Sequence, residues 1–194
     1  MKKSSILLLI VPLFYFSCKE TKKETGESKP AVNDTTTFFQ VSQFVKSQID
    51  EVNKTPYYIY KIDITNDKRD SIPIDVSAFK EISNQFVKPD INDPALKKFY
   101  VENIFHDQTT KSFTISYTTT NKELEVQNVE VLLDEDGETV KRVFMRKFFN
   151  YSDSTALEQL SWKTNESFMV NRLVQMPDKK EISHQTIVVW NEKS

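Results

Sequence analysis

From Tyr100 to Trp190 the chain repeats one pattern, in which short stretches of alternating apolar and polar residues are divided by brief polar turns. Phe113, Ile115 and Tyr117 alternate with Thr114, Ser116 and Thr118, and Val129, Val131 and Leu133 repeat the arrangement. A period of two sends one set of side chains to a buried face and the other toward water, which is the signature of half-covered strands. Asp134-Glu135-Asp136-Gly137 makes a turn into a longer stretch from Thr139 to Phe149. Further strands are expected at 155–164, 167–176 and 182–190, separated by Asn165-Glu166 and Pro177-Asp178-Lys179-Lys180. Links this short favour neighbouring antiparallel strands, so the chain from Tyr100 onward should form a meander.

The preceding residues follow a different period. Phe38, Val41, Phe44, Val45, Ile49 and Val52 recur at spacings of three and four, with polar residues between them, as in an amphipathic helix. Asn53-Lys54-Thr55-Pro56 ends it, because proline disfavours the helical conformation in the residue before it. Tyr57 to Ile64 is rich in aromatic and β-branched residues and reads as a strand. Asp75 or Ser77 caps a second helix whose apolar face is Phe79, Ile82, Phe86 and Val87. Asp93-Pro94 supplies the cap and first position of a short third helix ending near Phe99. The expected class is α+β, with N-terminal helices packed on a curved antiparallel β-sheet meander of about six to eight strands. In the stretch from Thr139 to Phe149, Val143, Met145 and Phe149 fall on one side and Phe144 and Phe148 on the other. Either a sheet curled on itself or a pocket accounts for apolar residues on both faces.

Ahead of the domain, Met1-Lys2-Lys3 is followed by an apolar run from Ile6 to Phe16 and then by Ser17-Cys18. A basic start, a short apolar core and a small residue before a cut describe a secretion signal over 1–17. The run is too short to cross a bilayer, which takes about 20 residues. The junction resembles a bacterial lipobox, which implies that Cys18 becomes the acylated first residue of a mature lipoprotein carrying palmitate-like chains. One acyl chain holds a protein only marginally, so multiple acylation is the stable arrangement. Residues 18–37 would then be the lipidated cysteine and a flexible tether, since Lys, Glu, Thr, Ser, Gly and Pro cannot bury enough surface to offset the entropy of ordering. Residues 38–191 remain for a single globular domain.

Several function classes fall away on composition. Cys18 is the only cysteine, so the domain has no disulfide, no cysteine metal site and no cysteine nucleophile. Removing 1–17 takes two lysines from 26 basic residues, leaving 24 against 28 acidic ones and a net charge of about −4. The charges are interspersed, so no nucleic-acid partner is expected. Gly26 and Gly137 are the only glycines, which rules out a phosphate-cradling loop or dinucleotide fingerprint, and no cofactor is expected. The acidic turn at 134–138 resembles a calcium loop only in part: the first ligand position would be Leu132 and the twelfth Val143, so it reads as a hairpin turn and no metal is expected. His106 and His184 are the only imidazoles; neither has a cysteine or second histidine at ligand spacing, and no Gly-x-Ser-x-Gly elbow exists, so no catalytic residue is assigned.

Trp162, Trp190, Tyr57, Tyr58, Tyr60, Phe148 and Phe149 form an aromatic-rich set on strands, to be read as core or as a ligand platform. If they line a groove, its ligand would be apolar, a glycan face or a peptide, with Arg142, Arg146 and Arg172 orienting it. Segments such as Phe105 to Phe113, Ser152-Asp153-Ser154-Thr155 and Trp162-Lys163-Thr164, with Val188-Val189-Trp190, are similar to uncharacterised lipoproteins of Bacteroidota. That resemblance implies a place in the cell envelope, on the outer membrane, held through Cys18, and implies no activity. Lys19-Glu20 resembles the surface-export signal of that group, and Asp34-Thr35-Thr36, Asp70-Ser71-Ile72 and Asp153-Ser154-Thr155 resemble its O-glycosylation pattern. The expected function is a non-enzymatic binding module for an apolar or extended ligand or an envelope protein. A structural or interaction domain of an envelope assembly is the alternative, and a hydrolase the third reading. Helices on the concave face of a curved sheet would resemble a lipoprotein carrier, which adds lipid handling as a narrower expectation.

Overall fold

A computed structural model describes residues 38–178 and 181–191. The first helix, α1, spans Val41–Lys54 and buries Val41, Val45, Ile49 and Val52, one face at helical spacing. It stops at Thr55, whose backbone is extended ahead of Pro56. Strands β1 (Tyr60–Thr65) and β2 (Lys68–Pro73) form a hairpin. Asn66 and Asp67 turn it with φ of 49° and 65°, the left-handed pair that matches strand twist in a two-residue turn. Helix α2 (Val76–Ser83) follows, capped by Asp75, whose carboxylate accepts the Ala78 amide at 2.8 Å. It runs into a 3₁₀ turn at Asn84–Phe86, and the short helix α3 (Pro94–Lys97) is capped by Asp93 with Pro94 in its first turn.

Seven strands then run as a meander: β3 (Val101–Asp107), β4 (Ser112–Thr118), β5 (Val126–Leu133), β6 (Val140–Asn150), β7 (Thr155–Lys163), β8 (Ser167–Gln175) and β9 (Glu181–Val189). β9 pairs with β1, so the sheet has nine antiparallel strands in the order β2-β1-β9-β8-β7-β6-β5-β4-β3. The α+β class holds, but the helices are few and the expected six to eight strands become nine. The strand the sequence pattern least resembles is β2, Lys-Arg-Asp-Ser-Ile-Pro, which is exposed throughout and has no buried face to impose alternation.

The helices cover one face of the sheet. Tyr117, Val129, Met145, Leu160 and Val170 lie side by side across β4 to β8, and beside them run Val131, Val143, Trp162, Phe168 and Val188. α2 and its 3₁₀ extension press Phe79 and Phe86 onto this surface. Ring centroids separate Phe86 from Trp162 by 5.2 Å and Phe79 from Trp190 by 5.2 Å, both edge-to-face. The cluster is closely filled, and its one flaw is the Trp162 Nε1, a buried donor with no hydrogen-bond partner. The bonds that tie down α1 and its approach include Ser42 Oγ donating to the Val87 carbonyl at 2.9 Å and the Phe39 amide donating to Tyr117 Oη at 2.7 Å.

Candidate functional site

The face turned away from the helices carries a groove of about 340 Å³. Its floor is set by strand registration. One cross-strand row is Glu130, Phe144, Ser161 and Met169, continuing to Ile187 and Ile62; the next is Asn128, Arg146, Gln159 and Asn171, continuing to Gln185 and Ile64. Side chains two apart on a strand share a face, so the rows adjoin and run across β5 to β8, about 14 Å at the usual strand spacing. Beyond the groove the first row becomes apolar while the second passes through Gln185 to Ile64, and Ile62 is 5% exposed although it lies on the face opposite the main core.

Three side chains of β6 dominate the groove. Phe144 is 38% exposed. Arg142 lies over its ring at 5.7 Å and donates through Nη1 to Ser161 Oγ at 3.3 Å. Arg146, two residues further on, has no hydrogen bond or ion pair among the described residues, and Glu130 has none either. Across the groove the Gln185 amide donates to Asn171 Oδ1 at 2.6 Å, fixing the polar wall. Such a surface offers an open aromatic face, a guanidinium fork held ready for a carboxylate or phosphate, and amides for hydrogen bonding.

The other polar group lies on the helix-covered face, in a row that runs from the buried Lys147 and Glu158 out to the half-buried His184 and Thr65. Thr65, His184, Arg172, Glu158 and Lys147 are cross-strand neighbours in one row. His184 Nδ1 is 2.6 Å from Thr65 Oγ1, and its Nε2 is 3.1 Å from Thr186 Oγ1 and 3.5 Å from Asp63 Oδ1. Partial burial pushes the Asp63 carboxyl up, but hydrogen bonds and charge from Lys61, with the Thr186 hydroxyl, hold it below the ordinary aspartate range. A histidine between a hydroxyl and a carboxylate is the minimum a hydrolase needs. Here β1 and β9 are each flanked by strands on both sides, which commits the amides within them to the ladders. His106 lies elsewhere, stacked on Phe113 at 4.2 Å on the edge strand β3.

Arg172 pairs with Glu158, accepts no share in the groove, and covers Phe149 at 5.6 Å. Of the three arginines considered from sequence, Arg142 and Arg146 therefore reach the groove and Arg172 does not. The aromatic set divides as well. Trp162 and Trp190 are core, Phe149 stacks on Tyr151, and Tyr58 is exposed on the approach to β1, so these rings form no common platform. The groove ring is Phe144. The carboxylates of the acidic turn are used within it: Asp136 accepts from the Glu138 and Thr139 amides, each at 2.8 Å, and Asp134 pairs with Lys141 at 3.0 Å. Among the described residues no group of three or more His, Cys, Asp or Glu is placed to hold a metal, and no helix is long and apolar enough to cross a membrane. Cys18, with the signal and tether assigned to 1–37, lies outside the described residues.

Among solved structures, the S-type phycobiliprotein lyase from Guillardia theta is similar over 82% of this chain and 99% of that chain, with 12% identity and a TM-score of 0.23. No protein-family model and no curated protein matches the chain.

Proposed function

We propose that this protein is a non-enzymatic binding module, anchored to the cell envelope through Cys18, that takes an extended ligand with an apolar portion and an anionic group in the groove of the uncovered sheet face. The observation that carries the ligand class is Arg146, a guanidinium with no partner among the described residues, beside the exposed ring of Phe144 in the groove. An unsatisfied guanidinium gains most from a bidentate acceptor, and the neighbouring half-buried Met169 and Ile187 give the rest of a long ligand an apolar track. Lipid handling of the carrier type, with the ligand between helices and sheet, is disfavoured because that space is filled by Phe79, Phe86, Trp162, Phe168 and Trp190.

Decanoate and decanol distinguish the anionic from the merely apolar requirement in an equilibrium titration of the full chain. Decanoate should bind and decanol should bind at least 10-fold more weakly, as expected when a charge-assisted hydrogen bond of about 1.5–3 kcal/mol is lost. Arg146→Glu should abolish the difference. Equal binding of the two probes, or binding indifferent to Arg146→Glu and Phe144→Ala, would refute the assignment. The alternative, an interaction domain within an envelope assembly, is favoured by a separate feature: the concentration of exposed Phe99, Val101, Ile104 and Phe105 at the β3 edge.

A further inference from the structure

The two edges of the sheet are unlike. The β2 edge is Lys68-Arg69-Asp70-Ser71-Ile72-Pro73, whose charges and terminal proline obstruct the addition of another strand. The β3 edge, Val101-Glu102-Asn103-Ile104-Phe105-His106-Asp107, has neither lysine nor proline, and Ile104 and Phe105 are each 60% exposed. An edge strand of this kind presents unpaired backbone groups and apolar side chains together. It is paired on one side only, with β4.

We propose that β3 pairs with β3 of a second copy of this chain, antiparallel and centred on Ile104, to give a two-fold dimer with one sheet running through both subunits. Antiparallel neighbours about a two-fold axis normal to the sheet must share a face, so the register is centred on a residue. Centring on Ile104 places Glu102 of each copy opposite His106 of the other, Ile104 opposite Ile104, and Asn103 opposite Phe105. The imidazole N–H donates to a carboxylate whether or not the ring is charged, so both outer contacts are complementary. Centring on Asn103 instead sets Glu102 against Ile104, and centring on Phe105 sets Ile104 against His106; each loses the Glu–His pairs. Glu102 lies opposite Tyr117 on β4, and His106 is held flat by Phe113. Once the two β3 strands pair, the only edges left are the charged β2 strands, so the assembly closes as a dimer and does not extend.

The chain has one cysteine, so Cys18→Ser provides a thiol-free background for a register test. In the full chain carrying Cys18→Ser, Ile104→Cys should form an oxidised dimer readily, because directly opposite Cβ atoms lie about 4.5–5.5 Å apart, close enough for a disulfide after small adjustment. Asn103→Cys, facing Phe105, should cross-link at least 10-fold more slowly. Sedimentation equilibrium should give a dimer for the parent, a monomer for His106→Glu, and a restored dimer for Glu102→Lys with His106→Glu. A monomer at all concentrations, a dimer indifferent to these substitutions, or a β3 edge that takes only an unrelated extended peptide would each overturn the proposal.

Discussion

Lys147 is the most deeply buried cation described, with its side chain 3% exposed, and its two partners differ in kind. Nζ bonds Glu125 Oε1 at 2.8 Å and the Lys88 carbonyl at 2.6 Å, joining β6 to the loop that follows the 3₁₀ turn. Glu125 is 37% exposed, so the two ends of the ion pair respond differently to truncation. Glu125→Ala leaves the buried ammonium with the Lys88 carbonyl as its remaining hydrogen-bond partner, beside the cross-strand Glu158 that Arg172 already engages. A fully buried pair broken in this way costs about 3–5 kcal/mol, and water reaching the Glu125 site should reduce that to about 2 kcal/mol. Lys147→Met keeps the volume, removes the desolvated charge and returns Glu125 to water. Its cost is the unsatisfied Lys88 carbonyl, offset by relief of desolvation, and should stay within about 1 kcal/mol. For a domain of this size each kcal/mol moves the midpoint by about 2–4 °C, so thermal unfolding followed by circular dichroism should place Glu125→Ala about 4–8 °C below the parent and Lys147→Met clearly above it. The reverse order, or equal losses, would refute the view that burial of the ammonium governs this contact.

Trp162→Ala should cost about 3–5 kcal/mol in denaturant unfolding, as for other large buried aromatics, whereas Trp162→Phe should cost under about 2 kcal/mol because the orphaned Nε1 donor leaves with the indole. Asp63 is held below the usual carboxylate range, so its contribution is complete above about pH 4 and is lost as pH falls through its folded value; Asp63→Asn should therefore flatten the acid limb of stability against pH below about pH 4. Gly137→Ala should cost about 1 kcal/mol through its φ of 69°, not through crowding, since an added Cβ would meet Phe113 no closer than 3.7 Å.

The elements that were legible in sequence are those in which a buried face imposes a period. The stripe through Val41, Val45, Ile49 and Val52, the alternation of Phe113, Ile115 and Tyr117, and the caps at Asp75 and Asp93 each follow from local chemistry and from one apolar surface. β2 was not legible because neither of its faces is covered; only Asn66-Asp67, a turn pair after an apolar strand, hinted at a hairpin. The groove was half legible. Arg142, Phe144 and Arg146 stand out as alternate residues on the face opposite Val143 and Met145, but their companions Asn128, Glu130, Gln159, Ser161, Met169 and Asn171 come from other strands. The same alternation puts each of them opposite Val129, Leu160 or Val170, yet bringing them into two adjoining rows requires the register, and two shifts in the β5–β6 pairing are not written in any local pattern. Likewise the contacts of His184 with Asp63 and Thr65 arise from the pairing of β9 with β1, a union of two strands more than 110 residues apart that the meander pattern does not disclose.

Binding of an anionic ligand on the uncovered face is tested most directly by mapping that ligand residue by residue. In a nuclear magnetic resonance titration of the ¹⁵N-labelled full chain with decanoate, saturable amide shifts should concentrate at Asn128, Glu130, Phe144, Arg146, Ser161 and Asn171, and should vanish in Arg146→Glu. Saturable shifts concentrated instead on α1 and α2, or no saturable response on the open face, would contradict it.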